Sequence, residues 1–344
     1  MKLLIIGGTR FLGRHFVAAA LERGHEVTLF NRGTQSSALP GVESIRGDRN
    51  KDLGKLQDRR WDAVVDTCGY LPRAVKEAAE VLADSVGRYV FISSQSAYAD
   101  VSVPGVDETF PLAGLTDEQL DEAYSIDTSG QPSYGKLYGG LKALCERAAE
   151  QAMPKRVLIV RPGLIVGPYD YTDRFTYWVV RVARGGEVLA PGRPERPVQF
   201  IDARDLAEWV VALMERRATG IYNANRSPDT LTMRNVLDEC KLASNSDAAF
   251  TWVSEAFLQQ EQVMAWSQMP LWLPEEDAPQ LRGFMFVNCD RAIAAGLRIR
   301  PMSDTIADTL GWVRSGLQDQ PLKAGIDPER EQTLLRKWHE SRSA

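Results

Sequence analysis

Lys2-Leu-Leu-Ile-Ile6 runs directly into Gly7-Gly-Thr-Arg-Phe-Leu-Gly13, and Phe11, Leu12, Phe16, Val17, Ala20 and Leu21 then recur at helical spacing. The short apolar run predicts a buried parallel strand, and the spacing after it predicts a helix. Strand, glycine turn and helix form the arrangement that receives a dinucleotide, because backbone N–H groups and a helix N-terminus meet its pyrophosphate. Gly7 permits the tight turn, Gly8 adds a second small residue, and Gly13 allows close helix–strand packing. Thr9, Arg10, Phe11 and Leu12 complete the loop, and Arg10 stands where a middle glycine is expected. The next strand, Glu26-Val-Thr-Leu-Phe30, ends at Asn31-Arg32, where a ribose-reading residue should lie.

Outward from this unit, strand and helix alternate. Strand patterns lie near Val42–Ile45, Trp61–Asp66, Arg88–Ser93, Arg156–Arg161, Val198–Asp202 and Gly220–Ala224. Helical patterns lie near Arg73–Ala83, from Ser133 to Arg147, across 170–185 and from Asp205 to Arg216. Such alternation predicts an α/β protein: a Rossmann-type doubly wound parallel sheet with a smaller mixed α/β C-terminal substrate lobe. We expect residues 1–166 to form the dinucleotide domain, with 198–224 returning to it. The lobe is expected from 167–197 and 225–318, followed by a charged tail at 319–344 that forms a frayed surface helix. Residues 99–133 are polar and rich in Asp, Pro and Gly, and read as a long loop.

Composition narrows the function classes. The 344 residues are 44% hydrophobic and 25% charged, enough for a full core. A net charge of −5 argues against non-specific nucleic-acid binding. The N-terminus enters a strand with no signal-peptide layout, and no apolar run reaches membrane-spanning length. Cys68, Cys145, Cys240 and Cys289 form no CxxC, and His15, His25 and His339 are the only histidines. No metal site and no disulfide framework are expected, and a cytoplasmic location fits.

The chemistry centres on Tyr138 and Lys142, four residues apart and so on one helix face. A lysine beside a phenol favours the phenolate, which predicts a tyrosine able to exchange a proton near neutral pH. Ser93-Ser94 closes the preceding strand, where a serine can hydrogen-bond a reacting oxygen. Ser, Tyr and Lys beside a dinucleotide site form a hydride-transfer constellation. After Gly167, Tyr169, Tyr171, Arg174, Phe175, Trp178 and Arg181 cluster, a mixture suited to a sugar or nucleobase plus an anion. The competing reading places Phe175 and Trp178 in the core and the arginines in solvent. Trp266 and Trp272 either cover the pocket or pack the lobe.

With these residues in view, the chain resembles the short-chain dehydrogenase/reductase superfamily. The likeness is to its extended, sugar-epimerase-like branch, and within that to the atypical members with a GGxxxxG loop. The markers are Gly7–Gly13, Ser93-Ser-Gln-Ser-Ala-Tyr98, Tyr138-Gly-Gly-Leu-Lys142, Arg161-Pro-Gly-Leu-Ile-Val-Gly-Pro168 and Gln199-Phe-Ile-Asp-Ala-Arg-Asp-Leu-Ala207. The resemblance implies Ser94 as the catalytic serine, with Ser93 and Ser96 as near alternatives, and Tyr138 as acid/base. It implies that Lys142 holds the nicotinamide ribose and lowers the Tyr138 pKa. Asp48 would face the adenine, Cys68 and Gly69 would line the cofactor between its sugars, and Pro162 and Gly163 would flank the nicotinamide, with Ser93 nearby. It also implies a homodimer through the helix carrying Tyr138.

Departures from the family pattern sharpen the expectations. Asn31 replaces the acid that binds a ribose 2′-OH, and Arg32 and Arg10 offer two cations there, so NADP is expected over NAD. Val198 stands where nucleotide-sugar epimerases often carry an arginine for the diphosphate; Arg196, two residues earlier and on the same strand face, could substitute. Arg174, Trp178 and Arg196 are therefore the candidate substrate residues. Gln95-Ser96 follow Ser94 where a 4,6-dehydratase carries an Asp-Glu pair, which disfavours dehydration. The expected function is an NAD(P)-dependent oxidoreductase or epimerase acting on a small polar substrate such as a nucleotide-sugar. The alternatives are an NADPH-dependent carbonyl reductase and, from another class, an RNA-binding or cofactor-sensing regulatory protein.

Overall fold

The computed structural model describes residues 1–33, 40–128, 133–228, 231–275, 278–316 and 321–343. In chain order, β1 (Lys2–Ile6), α1 (Phe11–Glu22), β2 (Glu26–Asn31), β3 (Glu43–Arg46), β4 (Trp61–Asp66), α2 (Pro72–Leu82) and β5 (Val86–Ile92) come first. Next are α3 (Asp117–Ser125), α4 (Tyr138–Ala152), β6 (Val157–Pro162), β7 (Leu164–Val166), α5 (Arg174–Ala183) and β8 (Glu187–Pro191). β9 (Phe200–Asp202), α6 (Ala203–Glu215) and β10 (Gly220–Ala224) follow. Last are α7 (Met233–Ser244), β11 (Ala249–Val253), α8 (Glu255–Gln260), α9 (Asp290–Ala294), α10 (Met302–Gly316) and α11 (Pro328–Ser343).

Seven strands form one sheet in the order β10-β6-β5-β4-β1-β2-β3, and every neighbouring pair is parallel. The chain winds outward from β1 in one direction, then restarts at β4 and winds the other way. This Rossmann-type order opens a ligand crevice where the direction reverses, beyond the C-terminal ends of β1 and β4. The continuous apolar runs follow from burial on both faces. Leu3 and Ile5 pack with Phe16 of α1 and Leu206 and Val210 of α6, whereas Leu4 and Ile6 pack with Val75 and Ala78 of α2 and Ala149 of α4. Alternate residues of β1 thus serve opposite cores, as strand periodicity requires.

The C-terminal part builds the second lobe. β8 pairs in parallel with β11, and a core including Phe175, Trp178, Leu237, Trp272 and Leu334 fills the space beside them. β9 is shorter than the expected 198–202 strand and pairs with β7 outside the main sheet, while β10 returns to it beside β6. The expected tail contains α11, whose Leu334 and Leu335 are buried in the lobe core.

Two further stretches differ from the sequence expectation. The presumed loop at 99–133 contains α3, set by a capping box in which Thr116 and Gln119 satisfy each other's backbone amides. The helix expected from Ser133 begins at Tyr138 instead, because Gly135 takes a left-handed φ of +48° and a 3₁₀ turn precedes α4. No helix among the described residues is long and apolar enough to cross a membrane.

Candidate active site

The glycine turn has the geometry its sequence predicts. Gly7 and Gly8 have φ of +103° and +83°, a region costly for side-chain-bearing residues. A Cβ on Gly13 would lie 2.5 Å from the Gly8 Cα, so α1 rests directly on the loop backbone. Arg10 is the N-cap of α1 with φ −121° and ψ 153°, ordinary extended backbone. That conformation needs no glycine, which explains why an exposed arginine fits there. The first-turn amides of α1 lack intrahelical acceptors, as at any helix start. Close-packed glycines beneath a helix N-terminus fit a dinucleotide pyrophosphate.

The other expected cofactor residues follow successive C-terminal strand ends. Asn31 closes β2; its Oδ1 accepts from the Gly33 amide at 2.8 Å, and its Nδ2 is buried without a partner. Arg32 Nη1 donates to the Thr128 carbonyl at 3.0 Å. Beyond β3, Asp48 Oδ1 accepts from the Asn50 amide at 2.8 Å. Beyond β4, the Cys68 amide donates to Asp66 Oδ1 at 3.1 Å, and burial pushes the Cys68 thiol pKa up. Pro162 ends β6, and the Gly163 amide donates to Ala224 of β10. The orphaned Asn31 donor and the glycine cradle suit a dinucleotide laid along this crest.

Ser94, Tyr138 and Lys142 meet where β5 ends against α4. Ser94 caps a short 3₁₀ turn, accepting from the Ser96 amide at 3.1 Å. Gly139 permits the approach of α4, since a Cβ there would lie 2.1 Å from the Ser96 carbonyl oxygen. Lys142 is only 3% exposed, and its Nζ donates to the carbonyls of Gly69 at 2.9 Å and Ile92 at 2.6 Å. Burial pushes the Tyr138 phenol up to about 12, against the hydrogen bond with Ser94 and the Arg174 cation, which favour ionisation. This corrects the expected lowering by Lys142. That ammonium is turned to backbone carbonyls, and desolvation governs the phenol.

A buried network that sequence reading missed supports these groups. Glu146 lies two turns after Tyr138 on the same face of α4. It accepts the Ser93 hydroxyl and both arms of Arg161, at 2.9 and 2.6 Å. Arg161 also donates to Tyr98 at 3.0 Å, and Tyr98 donates to Asn223 at 2.7 Å. With its hydroxyl held by Glu146, Ser93 braces the β5 end. Beside it, Arg49 clamps Asp66 with two 2.8 Å bonds and Tyr89 adds a third at 2.7 Å. Burial alone would raise the Asp66 carboxyl; these donors and the Cys68 amide outweigh it and hold the pKa below its ordinary value. The i, i+8 position of Glu146 was the available sequence signal.

The expected substrate residues separate. Arg174 opens α5, lies over the Trp266 ring at 5.0 Å and acts electrostatically on Tyr138. Tyr171 meets Phe11 of the glycine loop edge-on at 6.3 Å. Trp178, by contrast, is wholly buried in the lobe core with its indole N–H on the Pro270 carbonyl at 2.7 Å, so it offers no surface to a ligand. Arg196 is buried and ion-paired to Glu255 at 3.0 Å, the carboxylate that also receives Trp272 Nε1 at 2.8 Å. It is therefore occupied inside the lobe and does not supply the missing diphosphate cation. Asp170, overlooked in the sequence, is buried beside Arg174, and desolvation raises its pKa to about 6.

The parallel sheet and the glycine turn define a Rossmann-type, short-chain dehydrogenase/reductase-like architecture. Residues 3–224 match the NAD dependent epimerase/dehydratase family, and the chain belongs to it. Among relatives, the chloroplast stem-loop binding protein of 41 kDa b from Arabidopsis thaliana is 33% identical over 243 residues, covering 64% of this chain and 58% of that protein. The match thus spans less than two thirds of that relative's length. The 2-alkyl-3-oxoalkanoate reductase of Stenotrophomonas maltophilia is 26% identical over 263 residues, covering 70% of this chain and 74% of that one. The crystal structure of UDP-glucuronic acid 4-epimerase from Bacillus cereus in complex with NAD superposes with a TM-score of 0.64. It is 15% identical, and the match covers 92% of this chain and 99% of that one. At that identity the likeness is one of fold.

Proposed function

We propose that this chain is an NAD(P)-dependent oxidoreductase or epimerase acting on a hydroxyl or carbonyl of a small polar substrate, with Tyr138 as acid/base. The observation that carries the reading is the meeting of Ser94 and Tyr138 at the crest, one helical turn from the buried Lys142. A bound nicotinamide would supply the hydride acceptor or donor. Ser94 would hold the reacting oxygen, Tyr138 would give or take its proton, and Lys142 would stiffen the β4 and β5 ends and reach the ribose.

A phenol held at about 12 is a proton donor at neutral pH, which suits carbonyl reduction. Arg196, paired with Glu255, is withdrawn from any nucleotide diphosphate. These two observations favour the carbonyl-reductase reading over the nucleotide-sugar epimerase. Arg10 at the start of α1 and Arg32 just past β2 favour NADP over NAD. A homodimer through α4 completes the reading, and light scattering on the eluted protein tests it.

Titration with NADPH and NADH tests the core of this assignment. Tighter NADPH binding that is lost in Arg32→Ala is expected. Tyr138→Phe should lower turnover by ~10²–10⁴-fold with cofactor affinity unchanged. A protein that binds neither nucleotide, yet retards a stem-loop RNA at physiological salt, would overturn the assignment in favour of an RNA-binding role.

A further inference from the structure

A chain of contacts runs from the residue beside Ser94 to Arg174. Gln95, next to Ser94, donates to the Phe284 carbonyl at 3.0 Å. The Phe284 ring meets Trp266 edge-on at 5.9 Å, and Arg174 lies over Trp266 at 5.0 Å. Arg174 in turn lies near enough to Tyr138 to act on it electrostatically. Among the described residues, Arg174 has no hydrogen bond and no ion pair; the ring face of Trp266 is its contact. Trp266 itself holds a left-handed φ of +65°, a strained conformation for so bulky a residue.

We propose that Arg174 is the receptor for a carboxylate that the substrate carries beside its reacting carbon. The proposal rests on Tyr138 being the acid/base. A half-buried guanidinium without an acceptor is costly, and a substrate oxyanion would remove that cost. A guanidinium over an aromatic face keeps its edge donors for a planar, bidentate acceptor. One cation among aromatic walls suits a singly charged planar carboxylate better than a phosphate dianion. Asp170 does not occupy the donors: its Oδ1 accepts from the Thr172 amide and hydroxyl at 2.8 and 2.7 Å, and its Oδ2 is buried without a partner. Across the cleft, Gln95 Oε1 and Asn225 Nδ2 are likewise buried and unpartnered, 2.8 and 2.0 Å from the point where a Gly163 Cβ would lie. The site around Tyr138 thus offers a cation for an acid group and amide groups for neighbouring polar atoms.

Calorimetric binding of two matched pairs tests the proposal: UDP-glucuronate against UDP-glucose, and 3-oxohexanoate against its methyl ester, each with and without NADPH. The acid should bind ~10-fold or more tightly than its neutral mate in at least one pair. Arg174→Ala should abolish that preference while thermal stability and NADPH affinity hold, and Arg174→Lys should retain part of it. Three results would overturn the proposal: no acid preference in either pair, a preference that survives in Arg174→Ala, or weaker NADPH binding by that variant. Failure of the wild-type protein to bind nicotinamide nucleotides, with an Arg174-dependent acid preference intact, would instead sink the oxidoreductase reading and leave the oxyanion site standing.

Discussion

The two walls of the cleft are built on opposite terms. On the β5–α4 wall, the charged side chains are matched: Lys142 to two carbonyls, Glu146 to Arg161 and Ser93, Asp66 to Arg49 and Tyr89. On the β7–α5 wall, Arg174 has no ion pair among the described residues, and Asp170 Oδ2 is buried without a partner. A wall of paired charges fixes geometry, and a wall with unpaired charges leaves them to a ligand. On the reading proposed above, reaction chemistry falls to the first wall and substrate recognition to the second.

The matched wall should break hardest where one member of a buried pair is removed. Arg161 and Glu146 are each 2% exposed, so Arg161→Ala strands a carboxylate and should lose ~3–5 kcal/mol of stability in urea unfolding. Glu146→Gln added to Arg161→Met should recover most of that loss; a single variant within ~1 kcal/mol of wild type would show that the pair is not structural. Gly139→Ala tests the same wall more gently. Its Cβ would press on a backbone carbonyl that cannot swing aside, at a cost of ~1–3 kcal/mol. The helix must retreat from Ser96, so turnover should fall more than cofactor affinity. An unchanged rate would show that the spacing of Ser94 and Tyr138 tolerates the shift.

The same contrast marks what the sequence made legible. The glycine turn, the doubly buried strands and the shared face of Tyr138 and Lys142 were readable because each depends on local conformation or short-range periodicity. The lobe was harder because burial there depends on distant partners. Trp178 donates to Pro270, 92 residues on, and Arg196 pairs with Glu255, 59 residues on, so aromatics interleaved with arginines looked like a pocket lining. Spacing placed Lys142 near Tyr138 but could not reveal that its ammonium turns to backbone carbonyls, or that desolvation would govern the phenol. Arg10 looked like a defect in the turn until its extended φ showed that no glycine is required. The Thr116 and Gln119 capping box was present in the sequence, but the polar composition around it hid α3.

The smallest expected effect sharpens the unmatched wall. Burial raises the Asp170 pKa from 3.8 to about 6, with its Oδ2 unpartnered. The folded state therefore binds this proton more tightly than the unfolded chain does. Between those two values stability should fall as pH rises, and above about 6 the full penalty of a buried charge remains. Asp170→Asn keeps an acceptor for Thr172 and removes the charge. It should gain ~1–2 kcal/mol at pH 7, gain little at pH 4, and flatten the pH dependence between them. Denaturant melts across that range check the sign. A variant less stable than wild type at pH 7 would mean that the Asp170 charge is compensated in the fold, and the contrast between the walls would fail at this residue. A gain in stability accompanied by lost substrate binding would mark Asp170 as a group kept for recognition at the expense of the fold.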